Sequence, residues 1–465
     1  MRPTFFGLDI ARRALQSQMR ALDVVGHNIA NANTPGYSRQ VALLGATPAI
    51  TPAQQAGQLG TGVQVMAVRR VHDEFIEMQL RAETESYGRW NARYEALQQV
   101  ELILQEPSDL GLRDALDQFW QSLQDLHQQP ESDAARAVVR ERALLVAASF
   151  QHVHKQLTDL QLDLDRLVGL EVMTINSLTE RLADVNRQIH RVSLSGQSPN
   201  DLLDERDKLL LELAEHVDIH VMEYENGTVH VSVGGLTVVD RDRSIQLVTQ
   251  RDPDNNSLLS VHWGPTGQKL DIPNGRLAGV MEARDELVGG YIADLDRLAR
   301  TIIQRFNEVH QQGFTREEPP ALGGEFFTGT GAKDMSVHQD IQDNLAKIAA
   351  SADGAPGNGA NALSLAQVFH TAYTELGNAS PADFLRAVVS SIGVTAQQAR
   401  SMVAGQTALV EHLRNRKESL SGVSLDEEMV DMVRFQQAYA AAARLVTAMD
   451  EALEVIINRM GVVGR

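Results

Sequence analysis

Apolar residues recur every seven positions at both ends of this 465-residue chain, and this repeat constrains the fold most. Near the amino end the repeat consists of Leu8, Leu15, Leu22 and Ile29. Near the carboxyl end it runs further, through Leu425, Met432, Tyr439, Val446, Leu453 and Met460. Such a stripe is narrow and suits a partner helix better than a globular core. The sequence therefore predicts two long terminal helices that pair as an α-helical coiled coil, although the shorter amino-terminal repeat alone would equally suit an amphipathic helix packed on its own domain.

Helices at opposite ends of a chain can lie together only if the chain between them goes out and comes back. The periodicities between the ends predict a mainly α fold with a small β domain. A terminal assembly domain is predicted for 1–45 with 424–465, and a helical rod-like domain for 46–215 with 276–314 and 361–423. A β-rich domain is inserted at 216–275, and a loop-rich segment covers 315–360.

The interior patterns add details to this prediction. Apolar residues step by three and four from Leu157 to Val192, which indicates one rod-like helix, or two stacked helices if Glu171 marks a break. The charged string from Asp201 to Asp207 opens another helix and fits a solvated face and a contact between subunits equally well. Alternation of period two begins at His220, where Asn226-Gly227 predicts a hairpin with a type I′ turn.

The carboxyl-terminal helix has a clear predicted start. Ser424 is followed three residues later by Glu427, which is the pattern of a capping box. In such a box the serine accepts from backbone amides of the first turn and the glutamate reaches back to the serine N–H. We therefore expect this helix to begin at Leu425.

The chain offers no complete catalytic or metal-binding motif. It contains no cysteine, which excludes disulfides, thiolate nucleophiles and cysteine-bound metals. Gly329 to Lys333 lacks the Gly-Lys-Ser/Thr of a phosphate loop, and the His152/His154 and His216/His220 pairs lack a third ligand at a usual spacing, which favours solvated histidines. We predict a protein that is not an enzyme and binds no metal or cofactor.

Charge and hydropathy limit the partners. The net charge of −19 argues against a nucleic-acid binder, because phosphate backbones are neutralised by Lys and Arg. No run of about 18 apolar residues occurs, so membrane insertion is not expected. Charged and polar residues interrupt every apolar window among the first 30 residues, which excludes a cleaved secretory signal.

Two motifs flank the terminal helices. After the amino-terminal helix, a Pro-Gly turn is surrounded by polar residues, and the motif comprises Asn28, Asn31, Thr34, Pro35, Gly36, Tyr37, Arg39 and Gln40. The carboxyl-terminal helix carries the second motif, at Asp426, Glu427, Arg434, Gln436, Gln437 and Tyr439. Together they resemble the bacterial flagellar axial proteins, and the Tyr-Ser-Arg-Gln and Leu-Asp-Glu-Glu strings are more similar to the hook-associated protein 1 family than to hook or rod subunits.

The resemblance implies a structural subunit of the bacterial flagellum that joins hook to filament. It implies self-assembly into a tubular ring through the two heptad seams, with the hook protein and a second junction protein as neighbours. It also implies type III export with an uncleaved amino end, so that the protein is secreted to the flagellum after a transient cytoplasmic stage. A cytosolic export chaperone would cover the carboxyl-terminal helix, and the outer domain that larger family members carry near 315–360 would be missing here.

Two other functions fit the same residues. One is another flagellar axial subunit, from the hook or the distal rod. The other belongs to a different class, a cytosolic coiled-coil scaffold, for which the heptad helices would be sufficient.

Overall fold

Long helices form most of this chain, and small antiparallel sheets are attached to them. The computed structural model describes residues 5–51, 57–104 and 111–455. The α-helices are α1 (Phe6–Asn31), α2 (Glu74–Leu104), α3 (Leu112–Gln128), α4 (Asp133–Leu194), α5 (Asn200–His216), α6 (Gly275–Glu282), α7 (Gly289–His310), α8 (Gln339–Asp343), α9 (Ala360–Gln367), α10 (Pro381–Ser421) and α11 (Leu425–Glu454). The strands are β1 (Gln40–Ala46), β2 (Val63–Arg70), β3 (His220–Glu223), β4 (Val229–Val233), β5 (Leu236–Asp240), β6 (Arg243–Ser244), β7 (Leu247–Asp252), β8 (Leu258–Trp263), β9 (Gln268–Lys269), β10 (Phe327–Thr328) and β11 (Ser336–Val337). The predicted mainly α fold with a small β part is confirmed.

The terminal helices α1 and α11 pack against each other in opposite directions. Gly7 at the start of α1 lies beside Met449 near the end of α11, and Asn28 near the end of α1 bonds Glu428 in the first turn of α11. Between these points Phe435 packs into a small apolar cluster that includes Ala21 and Val25.

A second antiparallel pair continues from the first. Helix α2 follows α1 through the β1–β2 hairpin, and α10 precedes α11 by a three-residue link. Leu80 near the start of α2 packs with Val410 near the end of α10, while Leu97 packs with Ala396. The chain therefore leaves and returns through the same place, beside the β1–β2 hairpin.

Helix α4 is one uninterrupted helix of 62 residues, so Glu171 does not break it. The Glu171 side chain is buried, and its two carboxylate oxygens bind His216 Nδ1 at 2.6 Å and Arg276 Nε at 3.0 Å. A buried carboxylate is tolerated when charged partners of this kind surround it. His216 is accordingly not a solvated histidine, and its bond to Glu171 raises the pKa of the imidazole.

Two asparagines of α4 attach the β domain to the helical body. The order of strands is β3-β4-β5-β6 in one sheet and β7-β8-β9 in the other. The fully buried Asn186 donates to the carbonyl of Val229 at 2.8 Å and accepts from the N–H of the same residue at 3.1 Å. Asn176 makes the same pair of bonds with Leu247, each at 2.8 Å. Each side-chain amide therefore imitates a neighbouring strand and holds one sheet.

The hairpin between β3 and β4 does not use the predicted type I′ turn. A type I′ turn needs positive φ at both central residues, but of Asn226 and Gly227 only the glycine has it, at 81°. Instead the N–H of Gly227 donates to Tyr224, and the N–H of Tyr224 donates to Thr228. This five-residue loop carries its extra residue at Gly227, as in hairpins with a glycine bulge.

An aromatic core lies at the far end of the helical body. Phe306 of α7 packs on Phe326 with ring centroids 4.8 Å apart, and Phe119 lies 5.5 Å from Phe306. Phe327 and Phe369 complete this cluster. The chain crosses from Phe327 to Val337 through the short antiparallel pair β10–β11, in the segment where larger relatives were expected to carry an extra domain.

Candidate assembly site

The inner side of the terminal pair contains most of the predicted seam. On α1, the four predicted seam residues are half-buried, and the shorter Ala11, Ala21, Val24 and Val25 are fully buried beside them. On α11, Leu453 is buried and Met432 and Val446 are half-buried, together with buried Phe435 and Ala442. Leu425 and Tyr439 do not join this side, since they are 50% and 39% exposed. Met460 lies outside the described residues.

Helix α11 exposes several large aliphatic side chains, among polar ones, that the rest of the described chain leaves mostly uncovered. Met429, Val430 and Val433 are 59%, 68% and 56% exposed, and Leu445 is exposed further along the same helix. Isolated apolar residues on a surface are ordinary, but a group of large aliphatic side chains along one helix marks a surface for contact with another protein. The terminal pair therefore has one filled side and one open side.

The amino-terminal motif builds a buried polar hub at the end of α1. The amide of Asn28 donates to the carbonyl of Gln40 at 2.8 Å and to Glu428 Oε2 at 3.0 Å. Its oxygen accepts from the Tyr37 hydroxyl at 2.7 Å and from the Gln40 N–H at 3.0 Å. All hydrogen-bonding positions of this buried side chain are thus used. We call Asn28, Tyr37, Arg39, Gln40 and Glu428 the hub.

Arg39 connects the hub to the carboxyl-terminal helix. Its guanidinium binds Glu428 Oε1 at 2.7 Å and Glu427 Oε2 at 2.6 Å, and its backbone N–H donates to the carbonyl of Ser421. The capping-box prediction is therefore wrong, because Ser424 makes no side-chain cap bond and Glu427 is directed to Arg39. The Glu428 side chain is only 1% exposed, so this is an ion pair on the inside of the molecule.

Hydrogen bonds join the hub region to α5, where a set of buried ion pairs begins. The Ser38 N–H donates to Asp204, and Arg70 at the end of β2 binds Asp204 at 3.0 Å and Asp207 at 2.6 Å. Arg206 binds the other oxygen of Asp207 and continues to Glu223 in β3. Gln40 reaches the same helix through Asp201 and Asn200, at 2.6 Å and 3.1 Å. We call Arg70, Asn200, Asp204, Arg206 and Asp207 the α5 network.

Part of the charged string at the start of α5 is buried inside the chain rather than solvated, whereas Asp201 stays exposed. Asp204, Arg206 and Asp207 are buried and are bound within one chain. Burial raises the pKa of Asp204. Burial acts the same way on Asp207, but Arg206 and Arg70 outweigh it and lower the pKa of that carboxyl. Arg70 and Glu428 were not predicted as site residues. The only available signal was that each carries a charge opposite to that of a distant residue in the sequence.

The remaining motif residues lie at the surface. Thr34, Pro35 and Gly36 form the exposed turn, in which Gly36 has a φ of 87°, and Asn31 bonds Thr34 at 3.2 Å. Together with Asp201 and neighbouring side chains they line an open cavity of about 210 Å³. On α11, Asp426, Arg434, Gln436 and Gln437 are exposed, and the Arg434 guanidinium carbon lies 4.7 Å from the centroid of the Phe435 ring.

The described residues contain neither a group of side chains that could hold a metal ion nor a helix that could span a membrane. Within 5–51, 57–104 and 111–455, no three histidine, aspartate or glutamate side chains are grouped so that they could hold a metal ion. Across the same ranges, every helix is too short or too polar to cross a bilayer.

Three family models match successive parts of the chain. Residues 97–327 match the helical domain of the flagellar hook-associated protein FlgK. Residues 8–37 match the flagella basal body rod protein model, and residues 418–460 match the flagellar basal body rod FlgEFG protein C-terminal model. The last two segments contain α1 with its motif turn and α11, which meet at the hub.

Relatives that match over almost the whole chain carry one name. Flagellar hook-associated protein 1 of Bacillus subtilis is 35% identical over 509 residues, covering 100% of both chains. The protein of the same name in Escherichia coli is 26% identical over 544 residues, covering 96% of this chain and 98% of its own. Since 544 exceeds the 465 residues present here, the E. coli relative contains segments that this chain lacks.

A solved structure shares the fold. The flagellar hook junction protein FlgK from Burkholderia pseudomallei superposes with a TM-score of 0.66 at 16% sequence identity, over 74% of this chain and 100% of that chain. At this identity the likeness concerns the fold alone. From the full-length similarity to the B. subtilis protein and the matching FlgK helical domain, we conclude that this chain belongs to the flagellar hook-associated protein 1 family of structural flagellar components.

Proposed function

We propose that this protein is a non-enzymatic subunit of the junction between the flagellar hook and the filament. The observation that carries the proposal is the open apolar side of α11, formed by Met429, Val430 and Val433. Membership of a family named for association with the hook supports the location. In this proposal the α1–α11 pairs of neighbouring copies pack side by side into a tubular ring, with the hook protein on one side and a second junction protein on the other.

The energetics favour many weak contacts over one strong contact. Covering a large aliphatic side chain contributes about 1.5 to 3 kcal/mol, and part of this gain offsets the loss of freedom on association. One pair of copies would therefore bind weakly. In a closed ring each copy has two neighbours, so the contacts add up and the joint persists.

The proposal includes a route to the flagellum. The chain leaves the cytoplasm through the type III export apparatus with its amino end uncleaved, and a cytosolic chaperone covers the carboxyl-terminal helix beforehand. The same exposed aliphatic residues support this step, because an uncovered apolar helix face favours premature association in the cytoplasm. Neither membrane insertion nor nucleic-acid binding is part of the function, in keeping with the net charge of −19.

Complementation of a deletion strain tests the proposal. Val433→Asp places a charge on the open side of α11, where Val433 is 56% exposed, and Leu453→Asp places one inside the seam. We expect both variants to be absent from sheared flagella, with cells that bear hooks but release their filaments. Val138→Asp is the matched control, since Val138 of α4 is 47% exposed, and it should leave filament attachment normal.

The alternatives give different results in the same strains. Normal filaments with Val433→Asp would contradict assembly through this side of α11. Loss of the hook itself in the deletion strain would identify another axial subunit, from the hook or the distal rod. Retention of the wild-type protein in the cytosol, with none in the flagella, would indicate a coiled-coil scaffold.

A further inference from the structure

The hub is more elaborate than a fastening of two helices requires. Asn28 alone makes four hydrogen bonds, one to Tyr37 of the motif turn, two to the backbone of Gln40 at the start of β1 and one to Glu428 of α11. Arg39 adds Glu427 and Glu428 of α11. Because each partner restricts a different direction, any rotation of α11 relative to β1 breaks at least one of these bonds.

Stability alone does not account for a buried ion pair at this place. Removing Arg39 and Glu428 from water costs several kcal/mol, and their attraction returns roughly the same amount. Two apolar residues of similar size would hold the helices together as well or better. Apolar residues would not fix the relative orientation of the two helices, because apolar contacts tolerate sliding whereas charged hydrogen bonds require a set geometry.

The hub is also continuous with the body of the molecule. Ser38 and Gln40 flank Arg39 in sequence and bind Asp204, Asp201 and Asn200 of α5. The α5 network then extends through Arg206 to Glu223 and to the carbonyl of Gly227 in the β domain. The three-residue stretch 38–40 is therefore held on one side by the terminal helices and on the other side by the body.

We propose that the hub sets the angle between the α1–α11 pair and the rest of the molecule, with Asn28, Arg39 and Glu428 as positioning residues for assembly. The inference rests on the proposed function, in that a ring closes only when every copy presents its terminal pair at the same angle. The motif that identifies the family would accordingly act inside each subunit, and the contacts with neighbouring copies would belong to the apolar side of α11.

Distance measurements between two spin labels test the angle directly. The chain has no cysteine, so Gln436→Cys on α11 and Gln188→Cys on α4 give a single label pair on two exposed positions. In the purified full chain we expect one narrow distance distribution. Arg39→Met combined with Glu428→Met should broaden or shift this distribution while the midpoint of thermal unfolding stays equal or rises. Filament attachment in cells should fall about tenfold, a size typical of coupling between linked sites.

The control removes an ion pair elsewhere in the terminal pair. Asp9 and Arg12 form an exposed pair on α1 at 3.0 Å, and Asp9→Asn with Arg12→Met should change neither the distance distribution nor attachment. An unchanged distribution in the Arg39→Met, Glu428→Met variant would overturn the positioning role, even if attachment were lost. Lost attachment with Val433→Asp and an altered distribution with the hub variant would support both proposals separately.

A milder variant covers the case in which the double substitution prevents folding. Tyr37→Phe removes one hydroxyl from the hub, together with the hydrogen bond that it donates to Asn28, and leaves no charge unpaired. It should broaden the distance distribution to a smaller extent with normal helicity. A distribution identical to that of the wild-type chain would overturn the proposal.

Discussion

The carboxyl group of Glu85 in α2 accepts a hydrogen bond from the backbone N–H of Ile219, the residue that precedes the first strand of the β domain, at 3.2 Å. Glu85 is 7% exposed, and Asp218 lies beside it. Burial and the neighbouring Asp218 raise the pKa of Glu85 to about 8, although the Ile219 N–H and Arg81 act in the opposite direction. The helical body and the β domain thus meet at a carboxyl group that keeps its proton at neutral pH.

Because of Glu85, the free energy of unfolding should decrease as the pH rises. The unfolded chain releases this proton near its ordinary pKa of 4.5, whereas the folded chain holds it up to about 8. The contribution is therefore fully present below pH 4.5, declines as the pH rises towards 8, and is lost above that. We expect Glu85→Gln to raise the free energy of unfolding at pH 8 by roughly 1 to 3 kcal/mol and to leave it nearly unchanged at pH 4. Urea unfolding at both pH values measures this, and equal effects at the two would contradict it.

His310 should have the opposite effect, on the acid side. Its ring is fully buried, with Nδ1 bound to the carbonyl of Gly324 at 2.8 Å and Nε2 accepting from the Ala349 N–H at 2.9 Å. Burial lowers the pKa of the imidazole to about 4. The unfolded chain takes up a proton below its ordinary pKa of 6.5, so stability decreases as the pH falls from 6.5 to about 4.

A substitution at His310 separates the packing effect from the titration. His310→Gln should lower the free energy of unfolding by about 1 to 3 kcal/mol at pH 7, because a buried hydrogen bond is lost or distorted. Between pH 6.5 and 4.5 the variant should lose less stability than the wild-type chain. His412→Gln, at an exposed position of α10, should reproduce wild-type unfolding curves at every pH.

Two helical glycines should respond in opposite ways to the same change. A Cβ at Gly88 of α2 would lie 2.1 Å from the carbonyl oxygen of Glu215, whereas a Cβ at Gly393 of α10 would have no neighbour within 4 Å. We expect Gly88→Ala to destabilise the protein by about 3 kcal/mol, since backbone must move. Gly393→Ala should stabilise it by up to about 1 kcal/mol through helix propensity. The midpoints of denaturant unfolding of the two variants measure these effects. Equal changes in the two midpoints would contradict the close approach of α2 to the end of α5.

Asn176 and Asn186 should each slow the hydrogen exchange of backbone N–H groups in one sheet. The N–H of Val229 donates to Asn186 and the N–H of Leu247 donates to Asn176. Asn186→Ala should therefore raise the hydrogen-exchange rate of Val229, and Asn176→Ala that of Leu247, at a cost of about 1 to 3 kcal/mol each. Native-state exchange read by NMR tests this. If either substitution released both sheets, the two attachments would not be independent.

The sequence was sufficient for the helices and for the identity of the family. Heptads at both ends predict α1 and α11, because a stripe repeated every seven residues leaves few alternatives to helix pairing. The alternation after His220 predicts the β region for an equally local reason. Two predictions from local patterns were wrong. The Asn226-Gly227 dipeptide is compatible with more than one turn type, and Glu427 binds the distant Arg39 instead of capping its own helix.

The buried polar residues were beyond prediction from a single sequence. Arg70 and Asp207 are 137 positions apart, and Asn28 and Glu428 are 400 apart, so no period or spacing connects them. A charged residue in a helix is exposed more often than not, which made a solvated face a reasonable prediction for Asp204 and Arg206. Only the tertiary structure shows that these buried charged residues are paired with residues of opposite charge.

The double passage of the chain beside the β1–β2 hairpin has a mechanical consequence. A tensile load applied to the terminal pair reaches the body along two covalent routes, from α1 through the hairpin to α2 and from α11 back into α10. Arg39 links the two routes, since its backbone N–H donates to the carbonyl of Ser421 at the end of α10 and its guanidinium binds the first turn of α11. Neither of the two helices can then be pulled away from the body without straining the other.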